Sequence, residues 1–391
     1  MSYPFRAARS RALAVLAVGA ALTAGLAACS SSSSGGDDAG KATASSGGST
    51  DSALSQTVAS LEKELDAFPV PTDSVDGVAD LAGGTVYYIP ITSRAPQFAV
   101  TQQGLTAAAK AAGLKVQLCD GEGTPTAISA CVTQAQHAKA AGIVLDGLAY
   151  DMAANAIDAA QKAGVPVVLS NQLPSDRHPV SATFAYAGTA GSPQMVALAD
   201  WIALDSDGKA NVLINEATDG ESQIAYVDAG IAEFKKVCPG CTVTVNKISS
   251  ASFQQIPSST SSALLKNPDI DYVISEFAEF LQPTQQGVQQ ASAKVTMTTG
   301  ASALSTLKEL KGGATLAAAT AQAAGYQGWV DLDAILRLHA GQTVPDYEIP
   351  SRLFTPESAG SLTLTSDAEV SGEWFAPTTY TSDFQKLWGM Q

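Results

Sequence analysis

Basic side chains are scarce. The 391-residue chain holds 22 Lys and Arg against 37 Asp and Glu, which argues against a nucleic-acid partner, since phosphate backbones are gripped by basic surfaces. Histidine is scarcer still: His137 and His339 fall in helical stretches and His178 in a connecting one. No Gly-x-Ser-x-Gly elbow, His-Glu-x-x-His pair or phosphate loop accompanies them, so no catalytic or metal constellation is assembled. No cofactor is expected, and the chain reads as a binder rather than an enzyme. Long apolar runs are also missing. After residue 28 no segment offers the ~18 uninterrupted apolar residues of a membrane-spanning helix.

What is present begins with Arg6, Arg9 and Arg11, an Ala/Gly-rich apolar run over residues 12–28, and Leu26-Ala-Ala-Cys29. A charged, then apolar, then small-residue succession is the pattern of a secretory signal. The last four residues resemble the bacterial lipobox, in which the cysteine takes a lipid and becomes the new N-terminus. Residues 1–28 are therefore expected to be removed and Cys29 to be a lipid anchor on the outer side of the membrane. Removal would leave 19 basic residues against 37 acidic ones, a net charge of −18. A Ser/Gly/Ala/Asp-rich stretch from Ser30 to about Ser52 has little to bury, and residues 29–80 are assigned to the lipidated cysteine and a flexible tether.

The four remaining cysteines, Cys119, Cys131, Cys238 and Cys241, are an even number in an exported chain. They allow three pairings, of which sequence proximity suggests Cys119–Cys131 and Cys238–Cys241. Cys238-Pro-Gly-Cys241 has redox-motif spacing, but it ends a helix instead of opening one, so no helix N-terminus would stabilise a thiolate.

From about Gly84 short apolar runs alternate with Ala-rich amphipathic stretches, the signature of βαβ units and a parallel sheet. Strands are expected over residues 85–90, 115–119, 142–146 and 165–170, with helices over about 96–112, 126–141 and 151–163 between them. Residues 173–187 read as irregular. The rhythm then resumes with helices near 192–204, 221–237, 258–265 and 282–291, and strands over 210–215, 242–247, 271–275, 295–299 and 315–319. Val330, Leu332, Ile335, Leu336 and Leu338 mostly share one face of a long terminal helix starting near Tyr326, expected to cover a sheet. The fold class is thus α/β, with two Rossmann-like lobes of parallel sheet joined by a multi-strand hinge. Residues 81–186 plus 323–345 form the N-terminal lobe, and 187–322 plus 346–391 the C-terminal lobe.

Several segments carry a family resemblance in their order and spacing: Val86-Tyr-Tyr-Ile-Pro90, Ala141-Gly-Ile-Val-Leu-Asp146, Ala163-Gly-Val-Pro-Val-Val-Leu-Ser170 and Asn267-Pro-Asp-Ile-Asp-Tyr-Val273. The small-residue run 317–324 before Tyr326-Gln-Gly-Trp329 completes the set. Together, over about residues 84–345, they resemble the type I periplasmic binding proteins, in particular the ribose- and galactose-binding receptors of sugar ABC transporters. The resemblance implies two lobes closing on a small-molecule ligand, expected to be a carbohydrate. It further implies a monomer that docks on an ABC permease in the membrane, outside the cytoplasm.

The resemblance also nominates ligand-binding residues. Ser93, Arg94 and Phe98 follow the first strand, where a guanidinium can fork onto hydroxyls and a ring can cover a sugar face. Asp146, at the end of the third strand, offers two acceptors to a diol, and Tyr150 lies just beyond it. Asn171 and Gln172 follow the fourth strand, Asp219 lies in the loop Thr218 to Glu221 of the second lobe, and Gln322 sits in the crossover. Where the sugar branch shows Asn-Asp, this chain has Glu276-Phe-Ala-Glu279, so that contact is not carried over and Phe277 is expected to stack on the ligand. Other polar solutes remain open, namely a nucleoside, a polyol or an aromatic acid. A sensory lipoprotein that presents ligand to a membrane receptor is open as well.

Overall fold

The computed structural model describes residues 47–313 and 315–390. The leader 1–28, Cys29 and the start of the tether lie outside the described residues. The chain opens with α1 (Gly47–Leu61), followed by β1 (Thr85–Pro90), α2 (Pro96–Ala111), β2 (Lys115–Leu118), α3 (Pro125–His137), β3 (Gly142–Asp146), α4 (Ala154–Lys162), β4 (Val167–Ser170) and β5 (Phe184–Tyr186). It continues through α5 (Gly191–Asp205), β6 (Asn211–Ala217), α6 (Glu221–Val237), β7 (Thr242–Ile248), α7 (Ile256–Lys266), β8 (Tyr272–Ser275), α8 (Leu281–Ala291) and β9 (Thr296–Thr299). The last elements are α9 (Leu304–Gly312), β10 (Leu316–Gln322), α10 (Ala324–His339), β11 (Ser351–Phe354), α11 (Pro356–Gly360), α12 (Ser366–Ser371) and α13 (Tyr380–Leu387).

The strands form two sheets, one ordered β2-β1-β3-β4-β5 and the other β11-β10-β9-β8-β6-β7. Every pairing is parallel except β10 with β11. Parallel strands covered by helices on both faces read as unbroken apolar runs. Val86 to Ile89 and Ile143 to Leu145 are fully or almost fully buried, which is why these strands were legible. Local chemistry sets the helix starts: Thr124 caps α3 by accepting from the Ala127 N–H at 3.2 Å, with Pro125 in the first turn. The two suggested disulfides are formed. Cys119–Cys131 ties the end of β2 to α3, and Cys238–Cys241 closes the turn from α6 to β7.

Three assignments differ from the expectation. Residues 47–80 are not all tether, because α1 packs on α5 and Phe68, Val75 and Val78 are buried in the body. The tail 346–391 divides: α11 packs on α9 of the second lobe, but α12 and α13 lie against α10 of the first. Helix α10 is neither terminal nor one-faced, since all of 324–338 is buried. Asp333 within it is satisfied internally, accepting from Arg337 Nε, Tyr347 OH and Trp388 Nε1 at 2.6–2.7 Å, whereas Asp331 Oδ2 is buried without a partner. The backbones of α2 and α10 nearly touch, so a Cβ on Gly104 would lie 2.1 Å from the Gly325 carbonyl.

Candidate functional site

In each sheet the strand order reverses once, between β1 and β3 in the first and between β6 and β8 in the second. Loops leaving such strands diverge and open a crevice at their carboxyl ends. Both crevices contribute to one cavity. The first lobe supplies Ile91 after β1, Phe98 at the start of α2 and Gly147 after β3; the second supplies Ala217 at the end of β6, Asp219 just beyond it and Phe277 to Glu279 after β8. The cavity volume is about 70 Å³, set within about 730 Å³ of unfilled space that includes open solvent.

The chain passes between the lobes at residues 187–190, at 322–323 and again at 346–350. The second and third crossings are bonded together, Ala323 N–H to the Pro350 carbonyl at 2.9 Å, and the first is held by the loop after β4, Asn171 N–H to the Gly188 carbonyl at 3.1 Å. Along them runs a continuous series of side-chain hydrogen bonds. Asn171 Nδ2 donates to Asp146 Oδ1 at 2.7 Å, and Gln322 Nε2 donates to Asn171 Oδ1 at 2.8 Å. Gln194 Nε2 donates to Gln322 Oε1 at 3.3 Å, and the Ala301 N–H donates to Gln194 Oε1 at 2.8 Å. This relay starts in the first sheet and ends in the second lobe, and Asn171, Gln194, Ala301 and Gln322 all line the cavity. Asn171 adopts a left-handed φ of 54° and Ala301 one of 47°. Such conformations cost about 1–3 kcal/mol in a non-glycine residue and persist where surroundings enforce them. The lobes also touch directly: Tyr226 OH donates to the Asn171 carbonyl at 2.9 Å, and the Leu173 N–H donates to Ser222 Oγ at 3.0 Å.

Of the residues nominated from sequence, Phe98, Asn171, Asp219, Phe277 and Gln322 meet at this cavity. Asp146 stands behind its wall, fully buried, where it orients Asn171 rather than facing the open space. Burial raises its carboxyl to about 6, against the opposing hydrogen bonds from Tyr88 and Asn171. Ser93 is turned to Asp120, which its hydroxyl and N–H both reach, and Arg94 lines an outer groove. Tyr150 and Gln172 line a third groove with Asp151 and Arg177; there the Tyr150 ring stacks on His178 at 3.9 Å. These four are held by local partners or by the outer surface, and the structure does not bring them to the cavity.

Sequence reasoning missed Gln97, Thr189, Gln194, Gln223, Tyr226 and Glu279 as lining residues. Gln194 alone carried a signal, a buried amide in a helix that otherwise reads Met-Val-Ala-Leu-Ala. Burial, with repulsion from Asp219, pushes the Glu279 carboxyl up to about 7, while Arg94 pulls it down. Among the described lining residues none is Lys, Arg or His. Among the described residues no His, Cys, Asp and Glu cluster could hold a metal ion, and no helix is long and apolar enough to cross a membrane.

Residues 86–343 match the family model described as the periplasmic binding protein domain. No curated protein matches the chain. Among solved structures, a sugar ABC transporter from Yersinia enterocolitica is similar over 82% of this chain and 98% of its own, at TM-score 0.67 and 17% identity. An ABC transporter solute-binding protein from Agrobacterium vitis, bound with α-D-tagatopyranose, is similar over 75% and 99%, at TM-score 0.64 and 17% identity. A carbohydrate transporter from Acidothermus cellulolyticus, in complex with myo-inositol, is similar over 74% and 99%, at TM-score 0.61 and 19% identity.

Proposed function

Because the chain belongs to the type I periplasmic binding protein family, we propose that it captures a small polyhydroxylated solute, a sugar or polyol, between its lobes and hands it to an ABC permease. The observation that carries this reading is the cavity itself, walled from both lobes by carboxamides and by the rings of Phe98, Tyr226 and Phe277. Carboxamides both donate and accept, as hydroxyls do, so each vicinal diol can be matched in a water-poor cleft. Rings cover the apolar face of a pyranose or cyclitol. Tagatopyranose and myo-inositol, bound by proteins of similar fold, are ligands of this kind.

Nothing in this task requires bond making or breaking, so the chain acts by binding and closure and not as an enzyme. A lining without a cation speaks against an aromatic acid as the solute. The leader and Cys29 fit a monomer tethered by lipid outside the cytoplasm, where the lobes are free to meet a permease.

A thermal-shift screen of the purified chain against monosaccharides, polyols, nucleosides and amino acids tests the reading. A ligand at a hundred times its Kd stabilises by about 2.7 kcal/mol. The expected hits are polyhydroxylated compounds; a shift with amino acids alone would overturn the assignment.

A further inference from the structure

Two further segments join the lobes, and both lie outside residues 86–343, the stretch matched by the family model. The first is residues 62–67. Before it, α1 packs on α5 and β11 of the second lobe, with Val58 buried there. After it, the Phe68 ring lies 4.9 Å from Tyr326 and 4.5 Å from Tyr380, and the Asp73 carbonyl accepts from Arg337 Nη2 at 2.8 Å, all in the first lobe. The second is residues 361–365, which lead from α11 on the second lobe to α12, packed on α2 and α10 of the first.

Their attachments run from lobe to lobe. Arg352 of β11 is 8% exposed and donates through Nε to the Glu62 carbonyl at 2.7 Å. Its Nη1 donates to the Trp374 carbonyl, just beyond α12, at 2.5 Å and to Glu64 Oε1 at 3.1 Å. The Leu65 N–H donates to the Phe375 carbonyl at 2.7 Å, so the two segments are also tied to each other. Glu369 of α12 accepts from the Leu304 N–H, at the start of α9 in the second lobe, at 2.6 Å. None of the described residues lining the cavity belongs to 62–78 or 351–390, so these bonds act on the lobes' relative motion and not on the solute. A buried guanidinium cannot release its acceptors without leaving its charge uncompensated. A segment pinned at both ends cannot stretch beyond about 3.5 Å per residue.

We propose that these two segments are straps, buckled at Arg352, that limit how far the lobes swing apart, so that the cleft opens only narrowly to admit its solute. A hinge made by the crossings at 187–190, 322–323 and 346–350 alone would let the lobes separate freely. With the straps fastened, separation requires the Arg352 and Glu369 bonds to break. The binding-competent arrangement then holds a larger share of the ensemble, and less affinity is lost to closing the cleft. The restraint holds whatever solute the cleft takes.

Single-molecule energy transfer on the full chain, with no solute added, tests this. Helices α3 and α7 flank the outer groove from opposite lobes, where Thr124 and Pro257 line it, and each carries an exposed position for a dye, Ala130 and Ser262. Attachment through azide-bearing residues at these two positions leaves the cysteines untouched. The wild type is expected to hold one narrow distance distribution. Arg352→Met, which unfastens the buckle, and Glu369→Ala, which cuts the bond to α9, should each broaden it toward longer distances while circular dichroism stays that of the wild type. A wild type that already moves between two well-separated distances would overturn the proposal, and this measurement decides even where a variant fails to fold. Folded variants that keep the wild-type distribution would overturn it as well. Neither result touches the sugar-binding reading, which the thermal-shift screen tests separately.

Discussion

Asp146 should be a buried acid whose ionisation the fold tolerates poorly, and the substitution Asp146→Asn isolates that cost. The residue is fully buried. Its Oδ1 accepts from Asn171, and its Oδ2 lies 2.6 Å from the Tyr88 hydroxyl, which lies 3.1 Å from the Phe98 carbonyl. The tyrosine has one proton and two acceptors beside it. With Asp146 ionised, one of those contacts goes unfilled. With Asp146 protonated, the acid donates to the Tyr88 oxygen, Tyr88 donates to Phe98, and Asn171 still donates to the other oxygen, so every group is satisfied. Burial raises the carboxyl from its ordinary 3.8 to about 6, which corresponds to about 3 kcal/mol. The sign follows from proton binding. Between these values the native state holds the proton and the unfolded chain does not, so stability is full below pH 4, falls as pH rises, and carries the whole penalty above pH 6. Asparagine reproduces the protonated acid, its amide donating to Tyr88 and its oxygen accepting from Asn171. In urea unfolding, Asp146→Asn should match the wild type at pH 4 and exceed it by about 1–3 kcal/mol at pH 7.5. A variant less stable than the wild type by the same margin at both values would refute the reasoning, because the fold would then need the carboxylate itself.

Other perturbations test separate parts of the account. Gln322→Leu leaves Asn171 Oδ1 and Gln194 Nε2 without partners; a loss of about 1–3 kcal/mol in a thermal melt is expected, together with a tenfold or greater rise in ligand Kd by calorimetry. Gly188 sits at a lobe crossing with φ 79°, and a Cβ there would meet the Tyr347 carbonyl at 2.5 Å. Gly188→Ala should therefore destabilise by more than the ~1 kcal/mol of an ordinary glycine site, read by urea unfolding. Cys29→Ser should abolish lipid attachment, so that mass spectrometry finds no acylated chain and fractionation moves the protein from membrane to medium; unchanged membrane association would contradict the anchor.

The two-lobed fold was legible because buried parallel strands write themselves as apolar runs. Residues 85–90 and 142–146 were bounded to the residue. The helix expected over about 126–141 runs too far, because α3 stops at His137, Lys139 takes a left-handed φ of 52° and Gly142 already belongs to β3. Strand β5 was not legible. It has three residues inside a stretch rich in Pro, Ser and Asp, and only pairing with β4 makes it a strand. The C-terminal helices α12 and α13 were hidden for the same reason, being short and stabilised by the surface of α10 and not by their own periodicity.

Site residues on loops after strands were found because α/β crevices form there, which placed Asn171, Asp219 and Phe277 at the cavity. Polar residues on helices were lost, although the apolar Phe98 of α2 was found. Gln97 and Gln223 look in sequence like the solvent side of an amphipathic helix, and only the opposing lobe makes them cleft residues. Arg94 illustrates the reverse error: a guanidinium one loop away from the cavity has the right chemistry and the wrong direction.

The most direct test of the central claim is a crystal structure of the chain with the tightest-binding compound from the screen. The account predicts that compound enclosed between the lobes, with hydroxyls on Asn171, Gln194 and Gln322 and a ring face against Phe98 or Phe277. Density for it in the outer groove beside Arg94, or in the groove of Tyr150 and Arg177, with the inner cavity holding only water, would contradict it.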